Sequence, residues 1–194
     1  MTSADRRARE REARRRLITA AARGLAEREG WEAVTTRRLS SEIEYSQPVI
    51  YKHFASMEDL ADAIALEGFD QLAAALGDAR RDAQPAEAVG AAARAYADFA
   101  SENPALYDAM FNRATHLRFG PEEAAAPLRS AFDALRASVA PIAGERDLDT
   151  LTELLWAALH GLTTLSRHGR LRPAYDTNRF DLLIAQFRAG GPSI

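Results

Sequence analysis

Apolar residues recur every three or four positions along most of this chain. No stretch alternates apolar and polar residues in the way that a half-buried β-strand does. A period of three to four residues is typical of an amphipathic α-helix. Alanine, which has the highest helix propensity, is abundant throughout. The pattern therefore predicts an all-α protein.

Breaks in this periodicity, marked by glycine, proline and capping residues, divide the chain into nine predicted helices. Gly30 ends the first helix, and Thr36 is predicted to cap a short second helix that runs to about residue 43. Ser46 is predicted to cap the third helix, with Pro48 in its first turn, where a missing N–H costs nothing. Ser56 opens the fourth. The fifth helix is expected to follow residue 85, and the sixth to start at 104. The seventh and eighth are expected to cover 122–140 and 148–168, and the ninth to start at 176. Loops are expected at 118–121 and 141–146.

Length and composition limit the kind of protein this can be. The chain has 194 residues, of which 47% are hydrophobic, which suffices for one large domain or two small ones with a real core. It contains no cysteine, which excludes disulfide bonds, thiol nucleophiles and cysteine-bound metals. No run of about 18 apolar residues predicts a membrane span, and the arginine-rich start does not resemble a secretory signal. The expected compartment is therefore cytoplasmic.

Charge is distributed unevenly along the chain. Residues 1–55 hold 12 Arg or Lys and 8 Asp or Glu, a formal charge of +4, whereas residues 56–194 hold 13 and 20, a formal charge of −7. Such asymmetry indicates that one end of the chain meets a polyanion. The alternative is that the charged ends are only solvated.

The segment at residues 35–54, TTRRLSSEIEYSQPVIYKHF, predicts two short helices joined by a tight turn. This is the layout of a helix-turn-helix, which lays its second helix in the major groove of DNA. So short a helix must be docked by apolar neighbours. The docking residues within the motif are expected to be Leu39, Ile43, Val49, Ile50 and Phe54. The side chains left to point outward, in some combination, are Ser46, Gln47, Tyr51, Lys52 and His53.

The outward residues suit DNA in different ways. Gln47 can pair with adenine through two hydrogen bonds, and Lys52, the only lysine in the chain, can meet guanine or a phosphate. Tyr51 and His53 suit phosphates, as do the N–H groups beside Thr36. An alternative is that Tyr51 packs in the core of the motif. The candidate DNA-binding residues are Thr36, Arg37, Arg38, Ser46, Gln47, Pro48, Tyr51, Lys52 and His53.

Residues 6–16 include seven arginines. We interpret this stretch as an arm that is disordered without DNA and that contacts the phosphate backbone or the minor groove when DNA is bound. The alternative is a disordered, solvated tail that extends the first helix.

With these motifs in view, the chain resembles the TetR family of one-component bacterial repressors over about residues 17–64. The resemblance rests on Thr36, Leu39, Ser46, the YKHF at 51–54, Ser56 and the EDL at 58–60. A second stretch is similar to a C-terminal subclass named for its Trp-His-Gly signature. The matching residues here are Trp156, His160 and Gly161, together with the segment 96–111.

The sequence departs from the family pattern at two places. The turn usually carries Ala-Gly-Val, but here it reads Ile43-Glu44-Tyr45. Glu44 lacks glycine's easy access to positive φ, so a reshaped turn and an altered tilt of the third helix are expected. Met57 stands where the family has a lysine, which removes one backbone contact.

Aromatic side chains are numerous in the second part of the chain: Tyr96, Phe99, Tyr107, Phe111, Phe119, Phe132 and Trp156. Small alanines around a few large rings can leave an apolar cavity of the kind that binds ligands. The candidate ligand-binding residues are Tyr96, Phe99, Tyr107, Met110, Phe111, Phe132, Trp156 and His160. An alternative is that Trp156 and His160 are ordinary core residues.

The eighth helix presents two separate faces. One holds Leu151, Leu155, Leu159 and Leu162, and the other holds Trp156, His160 and Thr164. We expect one side to face a dimer partner and the other to face the pocket. The last helix carries its own apolar stripe, formed by Phe180, Leu183, Ile184 and Phe187.

The sequence therefore predicts an all-α, nine-helix protein with a helix-turn-helix domain at residues 1–55 and a ligand-binding and dimerisation domain at 56–194. The resemblance implies a homodimer held by a four-helix bundle of the last two helices. It also implies a repressor that a small apolar or aromatic effector releases from a palindromic DNA operator, by moving the fourth helix. We expect no cofactor, no metal and no catalytic residue, because no catalytic motif appears. Two alternatives stay open: an architectural DNA-binding protein without a ligand, and an enzyme with an unfamiliar site around His160.

Overall fold

The computed structural model describes residues 3–113, 116–118 and 124–189, and these residues form nine α-helices and no strand. The helices are α1 (Ser3–Glu29), α2 (Thr36–Glu42), α3 (Gln47–His53), α4 (Met57–Asp82), α5 (Ala88–Glu102), α6 (Pro104–Asp108), α7 (Ala126–Ala143), α8 (Leu148–Arg167) and α9 (Asp176–Ala189). The all-α prediction is confirmed. Among the described helices, none combines the length and apolar character that crossing a bilayer requires. Phe119, Glu122 and most of the predicted loop at 118–121 lie outside the described residues.

The first helix is longer than predicted. It begins at Ser3, so the arm at residues 6–16 is helical in the absence of DNA, and the expectation of disorder was wrong. Arginine and alanine are good helix formers, and the ion pairs Arg6–Glu10 and Glu12–Arg16 have the i,i+4 spacing that supports a helix. Leu17, predicted in the apolar stripe, is 44% exposed.

The cap of α2 lies one residue earlier than predicted. Thr35, not Thr36, is the N-cap, and its side chain accepts the Arg38 N–H at 3.3 Å. The next cap, Ser46, precedes α3 as predicted, with Pro48 in the first turn, although its side chain makes no capping hydrogen bond.

The turn between α2 and α3 closes at Glu44. This residue has a φ of 55°, and it is the only non-glycine residue with positive φ among those the structure describes. The next N–H, from Tyr45, donates to the Ser40 carbonyl at 3.0 Å, which is the long bond of a Schellman motif. Glu44 therefore adopts the positive φ that glycine reaches more easily than a residue with a Cβ.

The seventh helix includes a proline that the sequence assigned to a loop. α7 begins with Pro127 in its first turn and continues through Pro141 to Ala143. A proline in the last turn of a helix removes one hydrogen bond, and the short remainder of the helix limits that loss. The predicted loop at 141–146 therefore starts too early.

The chain divides into two compact units by its internal contacts. The first unit contains Met1–Gly68 and Asn103–Arg118, and the second contains Phe69–Glu102 and Phe119–Ile194. Fully buried residues of the first unit include Ile18, Leu25, Leu39, Ile50, Leu60 and Ile64. In the second unit, α5, α7, α8 and α9 pack against one another around Tyr96, Leu135, Val139, Leu155 and Leu159. The predicted domain division between residues 55 and 56 stays a prediction.

Candidate functional site

One face of α3 is docked in the core of the first unit. Ile50 is 1% exposed, Phe54 at the end of the helix is 3% exposed, and Val49 is half-buried. Leu39 of α2 and Ile18 of α1 are both fully buried, and all three helices contact one another. Apolar packing therefore supplies the stability that a seven-residue helix lacks alone.

The other face of α3 is open to solvent. Gln47, Pro48, Tyr51 and Lys52 are all exposed, and the spacing of Gln47 from Tyr51 and of Pro48 from Lys52 places them on one side of the helix. Tyr51 is 52% exposed, so the alternative that it packs in the core is wrong. Its hydroxyl lies 3.2 Å from the Oγ1 of Thr36, at the start of α2. This surface gathers most of the predicted DNA-binding residues.

His53 does not belong to this outward surface. Its side chain is 8% exposed, and its Nδ1 atom is buried without a hydrogen-bond partner. Arg15 of α1 donates to the His53 carbonyl and stacks over the Phe54 ring, 4.3 Å from the ring centroid. Burial, followed by nearby positive charge, lowers the pKa of His53 below its ordinary value of 6.5; the charges belong to Arg11, Arg14, Arg15 and Lys52. The expectation that His53 points outward was wrong.

Arginines of α1 and α2 differ in their partners. Arg38 pairs with Glu29 at 2.7 Å, and Arg28 pairs with Glu42 at 2.6 Å, so two ion pairs join α1 to α2. Arg37 is exposed and makes no ion pair with any residue that the structure describes. Arg37 is therefore more available to a phosphate than Arg38.

Three residues of the first unit that the sequence analysis did not single out hold α6 against the first helix. The Glu27 carboxylate accepts the backbone N–H groups of Ala105 and Leu106 at 3.1 and 3.3 Å. Those groups belong to the first turn of α6, which has no side-chain cap of its own. Arg23 donates to the Asn103 side chain at 2.6 Å, and the Trp31 indole donates to the Ala105 carbonyl at 2.9 Å. No pattern in the sequence signals these contacts, because they join residues more than 70 positions apart.

One group in the described part of the chain has the side chains of a cation site. Asp59, Asp62 and His116 bring donor atoms within 4.8 Å of one another. The His116 Nδ1 lies 3.0 Å from an Asp62 oxygen, which is also the geometry of a simple hydrogen-bonded pair. His116 and Asp59 are exposed, and the pair accounts for the geometry without an ion.

The predicted ligand-binding residues fall in both units. Tyr107, Met110 and Phe111 belong to the first, where the Tyr107 and Phe111 rings contact each other with centroids 4.7 Å apart. Five belong to the second: Tyr96, Phe99, Phe132, Trp156 and His160.

Tyr96 and His160 meet within the second unit. Tyr96 is 1% exposed, and its hydroxyl lies 3.5 Å from the Nδ1 of half-buried His160. Burial lowers the pKa of His160. A half-buried imidazole beside a phenol can orient a polar group of a ligand. The ligand-binding set as a whole stays a prediction.

The faces of α8 differ from the expected ones. Leu155 and Leu159 are fully buried, so their side of the helix is occupied within the chain and does not face a partner. Leu154 and Leu165 are 57% and 42% exposed. With Ala158 and Gly161, they form a third stripe at i, i+4, i+7 and i+11.

Comparisons with known proteins agree with this geometry. Residues 18–64 match the family model described as bacterial regulatory proteins, tetR family, and residues 89–187 match the model described as tetracyclin repressor-like, C-terminal domain. An uncharacterised HTH-type transcriptional regulator of Mycobacterium tuberculosis is 29% identical over 180 residues, which cover 91% of this chain and 80% of that protein. None of these three matches tests the resemblance to the Trp-His-Gly subclass, which stays a prediction.

Solved structures share the fold. A protein of unknown function from Rhodococcus sp. RHA1 is 26% identical with a TM-score of 0.73, and the match covers 91% of this chain and 94% of that one. The complex of RolR with resorcinol is 18% identical with a TM-score of 0.66, and the match covers 95% and 97% of the two chains. At 18% identity the likeness is one of fold.

Proposed function

The chain belongs to the tetR family of bacterial regulatory proteins, which regulate transcription by binding DNA, and we propose that it is a dimeric repressor released from a palindromic operator by a small effector. The observation that carries the proposal is α3, which is buried on one side and presents Gln47, Tyr51 and Lys52 on the other. A helix docked in this way can enter the major groove without unfolding.

The two kinds of DNA contact are assigned to different residues. Gln47 lies at the start of α3, where side chains of a recognition helix reach base edges, and its amide can pair with adenine. Lys52 and Arg37 are exposed cations and Tyr51 an exposed hydroxyl, all suited to phosphates. The arginines at the start of α1 add positive charge that attracts the phosphate backbone of DNA.

The dimer is proposed to form along the exposed stripe of α8. Leu154 and Leu165 are large apolar side chains that are exposed to solvent. Gly161 lies between them, and a Cβ added there would contact no other atom of the chain within 4 Å. A small residue flanked by leucines lets a second helix approach closely. Leu182 of α9 is 62% exposed and α9 packs against α8, so we propose that Leu182 takes part in the same dimer contact. A two-fold dimer of this kind requires an operator with two inverted half-sites.

The effector is proposed to bind in the second unit beside Tyr96 and His160. Resorcinol, the ligand named for RolR, is a sensible first compound because it is small, aromatic and polar at two positions. Its effect on DNA binding would be a population shift, since a ligand weakens operator binding only by preferring the dimer that does not bind DNA. Operator DNA must then weaken ligand binding by the same factor. We propose that α4, which contributes residues to both units, carries the change.

Selection from a random DNA pool tests the function. Wild-type protein is expected to enrich an inverted repeat. Gln47→Ala is then expected to lose about 1–3 kcal/mol of binding free energy on the enriched site and little on random DNA, because a base-edge contact is lost. Gln186→Ala, at an exposed position of α9, is the matched control. Equal weakening on both DNAs would assign Gln47 to a phosphate, and no enriched sequence would contradict the proposed function.

A further inference from the structure

Among the residues that the structure describes, the second unit contains two buried hydroxyl groups without a hydrogen-bond partner. Thr163 is 6% exposed and Thr164 is half-buried, and the Oγ1 atoms of both are buried and make no hydrogen bond. Threonine within a helix commonly bonds to the carbonyl one turn earlier, as Thr152 does to Leu148 at 2.7 Å. A buried hydroxyl without a partner is unfavourable, so such groups in native proteins usually have a reason.

Both threonines lie on the face of α8 that carries His160. They follow His160 by three and four positions, a spacing that makes side chains neighbours on a helix. Trp156 lies one turn before His160 on the same face, and Tyr96 of α5 approaches His160 from the opposite helix. The exposed stripe that contains Leu154 and Leu165 lies roughly opposite Thr163 around α8, so a partner chain at that stripe would not satisfy the Thr163 hydroxyl.

This polar group carries no formal charge. Burial lowers the pKa of His160, which favours its neutral form, and tyrosine and threonine hydroxyls are uncharged. The charged side chains that the structure describes on α5, α7, α8 and α9 are exposed or half-buried, and the buried polar residues of these helices are Ser138, Thr152 and Thr163. Ser138 donates to the Ala134 carbonyl at 3.0 Å, so its hydroxyl is already used.

We propose that Thr163, Thr164, His160 and Tyr96 form the polar end of the effector site, and that the effector is an uncharged molecule with at least two hydroxyl or carbonyl groups on an apolar frame. This inference rests on the proposed function, because it names the ligand class of the same site. Each threonine hydroxyl can donate one hydrogen bond and accept others, and Trp156 offers an apolar surface. The described helices of this unit offer no fully buried charged side chain, so transfer of a carboxylate or an ammonium group from water to this polar end would be unfavourable.

The first test needs no ligand. Thr163→Val in the full-length protein replaces an unpaired hydroxyl with a methyl group of similar shape, so the midpoint of thermal unfolding is expected to stay the same or rise. The matched control is Thr152→Val, which loses a hydrogen bond inside the same helix and is expected to lower the midpoint. A fall in the midpoint of Thr163→Val equal to that of the control would show that the hydroxyl is already paired, and would overturn the proposal.

The second test uses three related probes: catechol, phenol and salicylate. Catechol is expected to bind wild-type protein more tightly than phenol, and salicylate, which is charged, is expected to bind least. Thr163→Val is expected to weaken catechol binding roughly fivefold to tenfold, the effect of one lost hydrogen bond, while Thr152→Val leaves it unchanged. Titration calorimetry measures each affinity.

Three results would overturn the inference: preference for salicylate, unchanged catechol affinity in Thr163→Val, or no binding of either uncharged probe to wild-type protein. Retention of the selected DNA is measured on the same proteins, which separates the two proposals. A protein that binds its DNA but no uncharged probe contradicts the ligand class alone. A protein that binds catechol but no DNA contradicts the proposed function and not the polar site.

Discussion

Among the residues that the structure describes, Glu44 is the one non-glycine residue with a left-handed backbone conformation. Its φ of 55° lies in the left-handed region, which costs a residue with a Cβ about 1–2 kcal/mol relative to a right-handed conformation. The neighbouring hydrogen bond from Tyr45 to Ser40 and the docking of α3 hold the turn in place. The strain therefore lies between the two helices of the DNA-binding motif.

Replacing Glu44 by glycine is expected to stabilise the protein by about 0.5–1 kcal/mol. Glycine adopts this φ without strain, although part of that gain is offset by the larger freedom of glycine in the unfolded chain. Urea unfolding of Glu44→Gly measures the change. Glu44→Ala is the control, because it removes the charge but keeps the Cβ, and it is expected to give little gain. Equal stabilisation by both variants would assign the effect to charge.

His53 is expected to make stability depend on pH. Its pKa is lowered in the folded state, so between that pKa and 6.5 the unfolded chain binds more protons than the folded one. The free energy of unfolding therefore falls as pH drops below about 6.5. His53→Gln is expected to show a smaller fall in the free energy of unfolding between pH 7.5 and 5.5 in urea unfolding than wild type. An identical fall in His53→Gln would exclude His53 as the source.

Tyr51 is exposed and His53 is buried, although both are polar residues of α3. This difference shows how much of the site the sequence can predict. The motif alone indicated a polar helix with Gln47 and Lys52 on its outer side, and the structure places both there. It did not reveal that His53 is buried, because burial depends on packing between helices, and α3 packs against both α1 and α2. The sequence also could not predict that the Thr163 hydroxyl is unpaired, because the pairing of a hydroxyl depends on its rotamer and its neighbours.

For whole elements, helices with an apolar stripe or a capping residue were predicted closely, whereas a helical stretch with neither was missed. Stripes with helical period predicted the nine helices of the described chain, and Ser46, Pro48 and Ser56 marked the starts of α3 and α4 closely. The N-terminal start of α1 was missed because a stretch without an apolar face gives no periodicity. It is helical through propensity and i,i+4 ion pairs.

The helical start of α1 is expected to contribute to DNA binding through charge. Arg6, Arg7 and Arg9 are exposed, and each arginine that contacts a phosphate should steepen the dependence of log K on log salt by roughly 0.9. Changing all three to glutamine is expected to flatten that slope, and changing all three to lysine is expected to preserve it. Fluorescence anisotropy at several salt concentrations measures the slopes. A slope that glutamine leaves unchanged would show that this turn of α1 is only solvated.

Across the whole molecule, the excess of positive charge and the exposed leucines of α8 and α9 occur in different parts of the sequence. The positive charge lies in residues 1–55, where the DNA-binding motif is, and residues 56–194 carry the negative excess. A negative second part is not attracted to DNA, so electrostatics favour an approach with the first part towards the duplex. The large exposed leucines of α8 and α9 belong to the negative part, which leaves them available to a second copy of the chain.

Assembly is therefore expected to fail when charge is placed in the stripe on α8. Leu154 is 57% exposed, so Leu154→Glu should leave the fold of the single chain intact while placing a carboxylate and its two-fold copy in an apolar contact. Sedimentation should show a dimer for wild type and a monomer for Leu154→Glu, with an unchanged helical circular dichroism spectrum. Binding to the full palindrome should weaken sharply, whereas binding to a single half-site should change little, because α3 is untouched. Ala137→Glu, which introduces the same side chain at an exposed position of α7, should remain dimeric. A dimeric Leu154→Glu protein would place the seam elsewhere on the molecule.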